Sequence, residues 1–211
     1  MLVRPDSRGA VVIGQPSHAW ISGQLARAWG NERFGAVEPF EEVCLAAEQH
    51  DLGMAMWDLE PPRNPESGLP VSFLQMAIRD HVELWTVAPR RLLRQSRYAA
   101  LLVSLHGSRL YKDLDRSAFE QEVRATLDAS DDEIERNHRL VWMWDSMSLA
   151  LLLDWRPWTV EGLDMHPDGT VKPWPFATES LTVRCEGRLL TEPGAPLEDA
   201  PWVDLAYELV Q

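Results

Sequence analysis

Six ionisable residues, His18, His50, Asp51, His81, His106 and Asp145, are spread along the chain, and each stands in an apolar stretch with helical spacing. Around each one, apolar side chains recur three and four positions away, so the ionisable group shares the face that must be buried. Burying such groups unpaired would cost several kcal/mol apiece. A fold that satisfies the stripes must therefore also satisfy these six side chains. Only His50 and Asp51 are neighbours, so the tertiary structure has to gather the others, and a metal site is the simplest arrangement that neutralises them together.

The helices follow from the same spacing. Gln15-Pro16-Ser17 opens the first, whose inner face runs through His18, Ile21, Leu25 and Trp29 before Gly30-Asn31 ends it. Pro39 suits the first turn of a second, with Glu41 and Glu42 at its positive end and Phe40, Val43, Cys44, Ala47, His50 and Asp51 on one face. The stretch Asp58 to Pro70 holds four prolines and a glycine, which predicts a long loop able to close over a site. A third helix is expected over about Val71 to Val87, with Leu74, Ile78, His81 and Trp85 on its stripe and Pro89 restarting the chain. A fourth, about Ser96 to Leu110, aligns Tyr98, Leu102, Leu105 and His106. The polar stretch from Lys112 to Glu135 holds an amphipathic helix and then Ser130 and Glu133 in capping-box spacing. Beyond it Ile134, His138, Val141, Asp145, Leu149 and Leu152 share one face of a long helix.

Strand-like alternation marks the two ends. Leu2 to Arg4 and Ala10 to Ile13 flank the turn-rich PDSRG and predict a hairpin, and after Pro157 the runs Leu181 to Cys185 and Leu205 to Val210 alternate between turn signals. The expected fold is mainly α, in a single domain over 1–211. Its helical core spans about 15–155, and a small antiparallel β appendage forms from the terminal segments, about 1–14 and 157–211.

Composition excludes several classes of function. A net charge of -13 argues against nucleic acid and anionic membranes as partners. No run approaches the ~20 apolar residues of a membrane span, and Arg4, Pro5, Asp6 and Arg8 break the start of the chain where a signal peptide would be apolar. Cys44 and Cys185 are too few for a disulfide framework or zinc knuckle, so a reduced, cytoplasmic setting is expected, with Cys44 simply packed. No glycine loop suits a nucleotide phosphate. Oligomeric state is not readable, although the C-terminal strands offer a pairing edge.

The order His, His-Asp, His, His, Asp on successive helices resembles the HD-domain superfamily of metal-dependent phosphohydrolases and their oxygenase relatives. The text His50-Asp51-Leu52-Gly53 is close to its central signature. The stretches QPSHAWISGQLARAWG, HDLGMAMWD and LLVSLHGSRL are similar to an uncharacterised bacterial family of HD-like proteins. The resemblance spans roughly Gln15 to Leu153 and implies an HD-like helical bundle. It also implies one metal on His18, His50, Asp51 and Asp145, and a second on His81 and His106 with Asp51 bridging. Many HD proteins carry a lysine shortly after the pair; Met54 stands there in this chain.

Imidazole and carboxylate donors without thiolates suit iron or manganese, with zinc or nickel as further candidates. Two such ions, commonly about 3.5–4 Å apart, can clamp a phosphoryl oxygen and lower the pKa of bound water from about 15.7 toward about 7. The leading expectation is thus a hydrolase in which a metal-bound hydroxide attacks a small phosphoester, a nucleotide or phosphorylated metabolite. A di-iron oxygenase cleaving a C-C or C-P bond is the alternative, and a metal-stabilised ligand-binding protein without catalysis is the third.

Asp51 and Asp58 are the candidate catalytic carboxylates, Asp58 orienting a ligand or substrate unless it only caps the proline loop. Arg79 and Arg109 are candidate substrate ligands by bidentate contact, unless they are surface arginines. His81 and His106 have the alternative of being core histidines bonded to carbonyls. His138 is read as a supporting or surface residue and His166 as solvated. Of ten tryptophans, Trp20, Trp29, Trp57, Trp142 and Trp144 flank the expected ligands and are read mainly as packing, while Trp158, Trp174 and Trp202 are expected to hold the sheet to the helices.

Overall fold

The computed structural model describes residues 1–111 and 115–211; the polar stretch that begins at Lys112 has its first three residues outside that range. Among the described residues the chain forms six α-helices, α1 (Gln15–Ala28), α2 (Phe40–Gln49), α3 (Ile78–Leu92), α4 (Arg97–Leu110), α5 (Ser117–Arg124) and α6 (Asp131–Leu152), with strands at both ends.

Pro16 occupies the first turn of α1, where its missing N–H costs nothing. In α6 the Ser130 side chain accepts from the Glu133 backbone N–H, and Asp131, Asp132 and Glu133 complement the helix dipole. Helix α1 packs on both α2 and α6, α4 packs on α2, α3 and α6, and the inner faces form one continuous core with the sheet. Trp144 is fully buried at its centre and meets Trp29 edge-on, with ring centroids 5.7 Å apart. Deleting a ring so placed costs about 3–5 kcal/mol.

Strands β1 (Leu2–Asp6) and β2 (Gly9–Ile13) form the expected hairpin. They join β6 (Ser180–Leu190) and β7 (Trp202–Val210) in an antiparallel sheet of order β1-β2-β6-β7, so both ends of the chain do build one appendage. Gly9, at φ +146, is required there because a Cβ would lie 2.0 Å from the Leu190 carbonyl oxygen. A second small sheet, β3 (Trp158–Val160), β4 (Leu163–Met165) and β5 (Val171–Lys172), was not expected. Its strands are two or three residues long, too short for alternation to reveal.

Three local expectations need correction. Helix α3 begins at Ile78, not Val71, and Leu74 and Ile78 are 62% and 71% exposed. Ser72 and Gln75 cap a separate 3-10 turn, Phe73–Gln75, which ends the apolar repeat early. Pro89 does not restart the chain; α3 runs through it to Leu92, because Trp85, Ala88 and Leu92 are all buried and their packing outweighs one lost backbone hydrogen bond. Trp202 is 62% exposed beneath the Arg188 guanidinium, 3.5 Å from its ring centre, whereas Trp158 does reach α6 by donating to Ser146 Oγ. No helix among the described residues is long and apolar enough to cross a membrane.

Candidate metal centre

The neighbours His50 and Asp51 are not on one helical face. Consecutive residues of an α-helix point about 100° apart and cannot both aim at one centre. Helix α2 ends at Gln49, His50 is its C-cap, and Asp51 (φ -96, ψ 17) leads into a 3-10 turn, Leu52–Ala55. This change of helix type directs both side chains inward. Gly53 makes it possible: a Cβ there would lie 2.1 Å from the Leu84 carbonyl oxygen of α3, so only glycine lets the turn pack that closely.

Five of the six ionisable residues meet. His18 Nε2 lies 3.1 Å from His50 Nε2, 2.9 Å from Asp145 Oδ1 and 3.6 Å from Asp51 Oδ2. His50 Nε2 lies 3.4 Å from Asp145 Oδ1 and 3.7 Å from Asp51 Oδ2, and His106 Nε2 lies 3.5 Å from Asp145 Oδ2. Donors held about 2.0–2.2 Å from one ion stand about 3–3.6 Å from one another. The observed separations match that geometry. Two triads result, His18-His50-Asp51 and His50-His106-Asp145, each with ligand atoms within 4.8 Å of one another.

Protonation strengthens the fit. His50 Nδ1 is 2.8 Å from the Ala47 carbonyl, which only accepts, so the neutral ring carries its proton there and turns a lone pair inward on Nε2. That lone pair faces another imidazole nitrogen and two carboxylates. A cation relieves such a cluster. When the cation is a proton, His50 holds it to about 9: burial opposes its charge, but Asp51 and Asp145 outweigh burial. Asp145 is likewise held well below the usual carboxylate range, because the neighbouring His18 and His50 imidazoles overcome its own burial. These buried His/Asp clusters can hold a metal ion.

The other imidazoles differ. His106 is stacked on Trp85, with ring centroids 5.3 Å apart, and tilted against Trp142 at 5.4 Å; its Nδ1 has no partner among the described residues. Burial, with the nearby histidines, pushes its pKa down to about 3. His81 borders the same cavity but belongs to neither triad, and its Nδ1 lies 2.5 Å from Tyr111 Oη. Burial lowers its pKa as well. The structure therefore groups His106 with His50 and Asp145, where the resemblance grouped it with His81.

Three further candidates stand away from the cavity. Asp58 is buried between the Met1 ammonium at 2.9 Å and the Gln15 backbone N–H, so it ties the start of the chain and of α1 to the end of the turn, outside the walls of this cavity. Arg79 projects into solvent and pairs with Asp80, since a position two before His81 lies on the opposite side of the helix. Arg109 pairs with Glu161 at 3.2 Å and stacks on Trp142 at 4.1 Å, which presses that ring toward His106. The proline-rich loop supplies none of the cavity walls among the described residues. Arg63 bonds it to Gly68 and Ala195, and Phe73, beyond the loop, supplies the wall.

A family model described as a protein of unknown function, DUF3891, matches residues 1–192. The chain belongs to that family. No curated protein and no solved structure matches this DUF3891 chain.

The cavity of the DUF3891 chain encloses about 90 Å³ beside the triads. Its remaining walls are Gln15, Met54, Phe73, Trp85, Leu110, Tyr111 and Leu149, with no lysine or arginine among the described residues. Met54 is fully buried and apolar there. Tyr111 and Gln15 were not singled out by the sequence. Tyr111 follows the last turn of α4 and shares no stripe, and Gln15 looks like an ordinary helix opener. The signal in Gln15 is only structural: its Oε1 is buried on the cavity wall without a partner among the described residues.

Proposed function

We propose that this chain is an HD-like, metal-dependent hydrolase acting on a small phosphoester. The observation that carries the reading is the convergence of His18, His50, Asp51, His106 and Asp145 at 2.9–3.7 Å on one cavity. One or two divalent ions, iron or manganese before zinc or nickel, suit these donors; when bound they supply an activated water and a Lewis acid.

The chain's own residues set the rest. His18 and His50 hold through Nε2, and Asp145 spans the site, with Oδ1 toward those two and Oδ2 toward His106. Gln15 offers an unpaired carbonyl oxygen to a substrate hydroxyl or amide. Tyr111 and His81 form a hydrogen-bonding pair at the wall, placed to exchange a proton with a leaving group. Met54, Phe73 and Leu149 exclude water, which strengthens every charge interaction inside.

The same walls define the substrate. With no lysine or arginine on the cavity among the described residues, substrate charge is met by the ions, which favours a phosphodiester with one negative charge over a monoester or nucleoside polyphosphate. Protein loaded with manganese or iron is expected to hydrolyse bis(p-nitrophenyl) phosphate faster than p-nitrophenyl phosphate, with loss of activity in Asp51→Ala. Inactivity on both with every divalent metal removes this reading. The apolar walls also favour a second one, oxidative cleavage of a small substrate by a di-iron centre. Substrate-dependent oxygen uptake by the iron-loaded protein, absent with zinc, would replace hydrolysis with it.

A further inference from the structure

Among the described residues His18 has no carbonyl behind it to fix its proton, as His50 does. Its Nδ1 lies 2.7 Å from the hydroxyl of Ser148, and that oxygen lies 2.8 Å from the Asp145 main-chain carbonyl, one helical turn away on α6. The geometry points to Ser148 as the positioning residue that fixes the tautomer of His18 and so holds its Nε2 open for a cation.

The proton count supports this. Ser148 has one hydroxyl proton, and the Asp145 carbonyl only accepts, so the hydroxyl donates to it and turns lone pairs toward His18. His18 Nδ1 then donates, and its Nε2 presents a lone pair to the cluster. Ser22 Oγ stands 3.0 Å from Ser148 Oγ and 3.3 Å from the Trp144 carbonyl, which completes the surroundings of the Ser148 oxygen. Ser22 and Ser148 are fully buried and His18 is 1% exposed, so no bulk water competes for these contacts. A serine amid Met147, Leu149 and Leu151 is costly unless bonded; its bond to a carbonyl three residues back would satisfy it alone. The contact to His18 is additional, and it lets one helix supply both the Asp145 ligand and the orientation of a ligand on α1.

This assignment rests on the metal-centre reading, and zinc separates the two. Metal-stripped wild type, Ser148→Ala, Ser148→Cys and Ser22→Ala proteins would be titrated with zinc by calorimetry. The zinc-loaded forms would then be compared by long-range ¹H–¹⁵N NMR of the His18 ring. Ser148→Ala is expected to lose about tenfold to hundredfold in affinity, the usual effect of removing a ligand's hydrogen-bond partner. Ser148→Cys, a weaker acceptor, should fall between it and wild type, and Ser22→Ala, one bond further out, should change least. The slowly exchanging His18 Nδ1–H signal should be present in wild type and absent in Ser148→Ala, which a merely packing role would not produce. Wild-type uptake of zinc with Ser148→Ala within twofold and the Nδ1–H signal unchanged overturns the role of Ser148 alone. Wild-type protein that takes up no zinc overturns the metal centre and this assignment together.

Discussion

The pair His18 and His50 and the pair His81 and His106 are both imidazoles on inward helical faces, yet they are built differently. Each member of the first pair has a partner behind Nδ1, the Ser148 hydroxyl or the Ala47 carbonyl, and meets the other at 3.1 Å. In the second pair His106 has no partner behind its ring among the described residues, and the rear nitrogen of His81 faces Tyr111. A ring with a fixed tautomer binds a cation without reorganising; one without it must first settle its proton. The first pair is thus prepared as a ligand set would be, and of the second pair His106 joins it, by sharing the Trp85 ring with His50 and by nearing Asp145.

The sharpest way to break this contrast is to remove a prepared ligand. His50→Ala deletes the residue common to both triads, and affinity for manganese or zinc is expected to fall by more than 100-fold, about 3 kcal/mol. Calorimetric titration of metal-stripped protein measures it, with circular dichroism as a check on folding. A change below tenfold would mean that His50 is not a shared ligand.

Next in size is Gly53→Ala, which tests whether the 3-10 turn sets the geometry. The added Cβ would meet backbone at the Leu84 carbonyl, so the turn must move away from α3. A loss of about 2 kcal/mol in urea unfolding is expected. Weakened metal binding should accompany it, because His50 and Asp51 lead into that turn. Full stability would show that the turn and α3 are less tightly joined than the structure has them.

How far the sequence reaches is visible in the same residues. Apolar periodicity located α1, α4 and α6 and turned His18, His106 and Asp145 inward, because one buried stripe leaves a helix little choice of face. The terminal β appendage was legible from alternation and turns, whereas periodicity set His50 and Asp51 on one helical face and missed that they lie at the junction of α2 with the turn. Periodicity failed where apolar residues are exposed, as at Leu74 and Ile78. It also cannot tell which nitrogen of a ring is engaged, nor what lies across a helix. Arg79 is close to His81 in number only, Arg109 reaches His106 through Trp142, and Ser148 became informative once α6 had been laid beside α1.

Within the less prepared pair the effects should be smaller and unequal. His106→Ala removes a donor 3.5 Å from Asp145 Oδ2 and is expected to weaken binding about tenfold, about 1.4 kcal/mol.

His81→Ala should do least. His81 lies in neither triad, and its removal costs the Tyr111 contact without taking a donor from the cluster. Metal stoichiometry should therefore match wild type and affinity should stay within about twofold, below about 0.5 kcal/mol. The resemblance that first placed His81 on a second ion with His106 requires the opposite, the loss of one bound ion per chain. Metal analysis of the purified variant beside His106→Ala separates the two: equal stoichiometry makes His81 a wall residue that works with Tyr111, and the loss of an ion makes it a ligand after all.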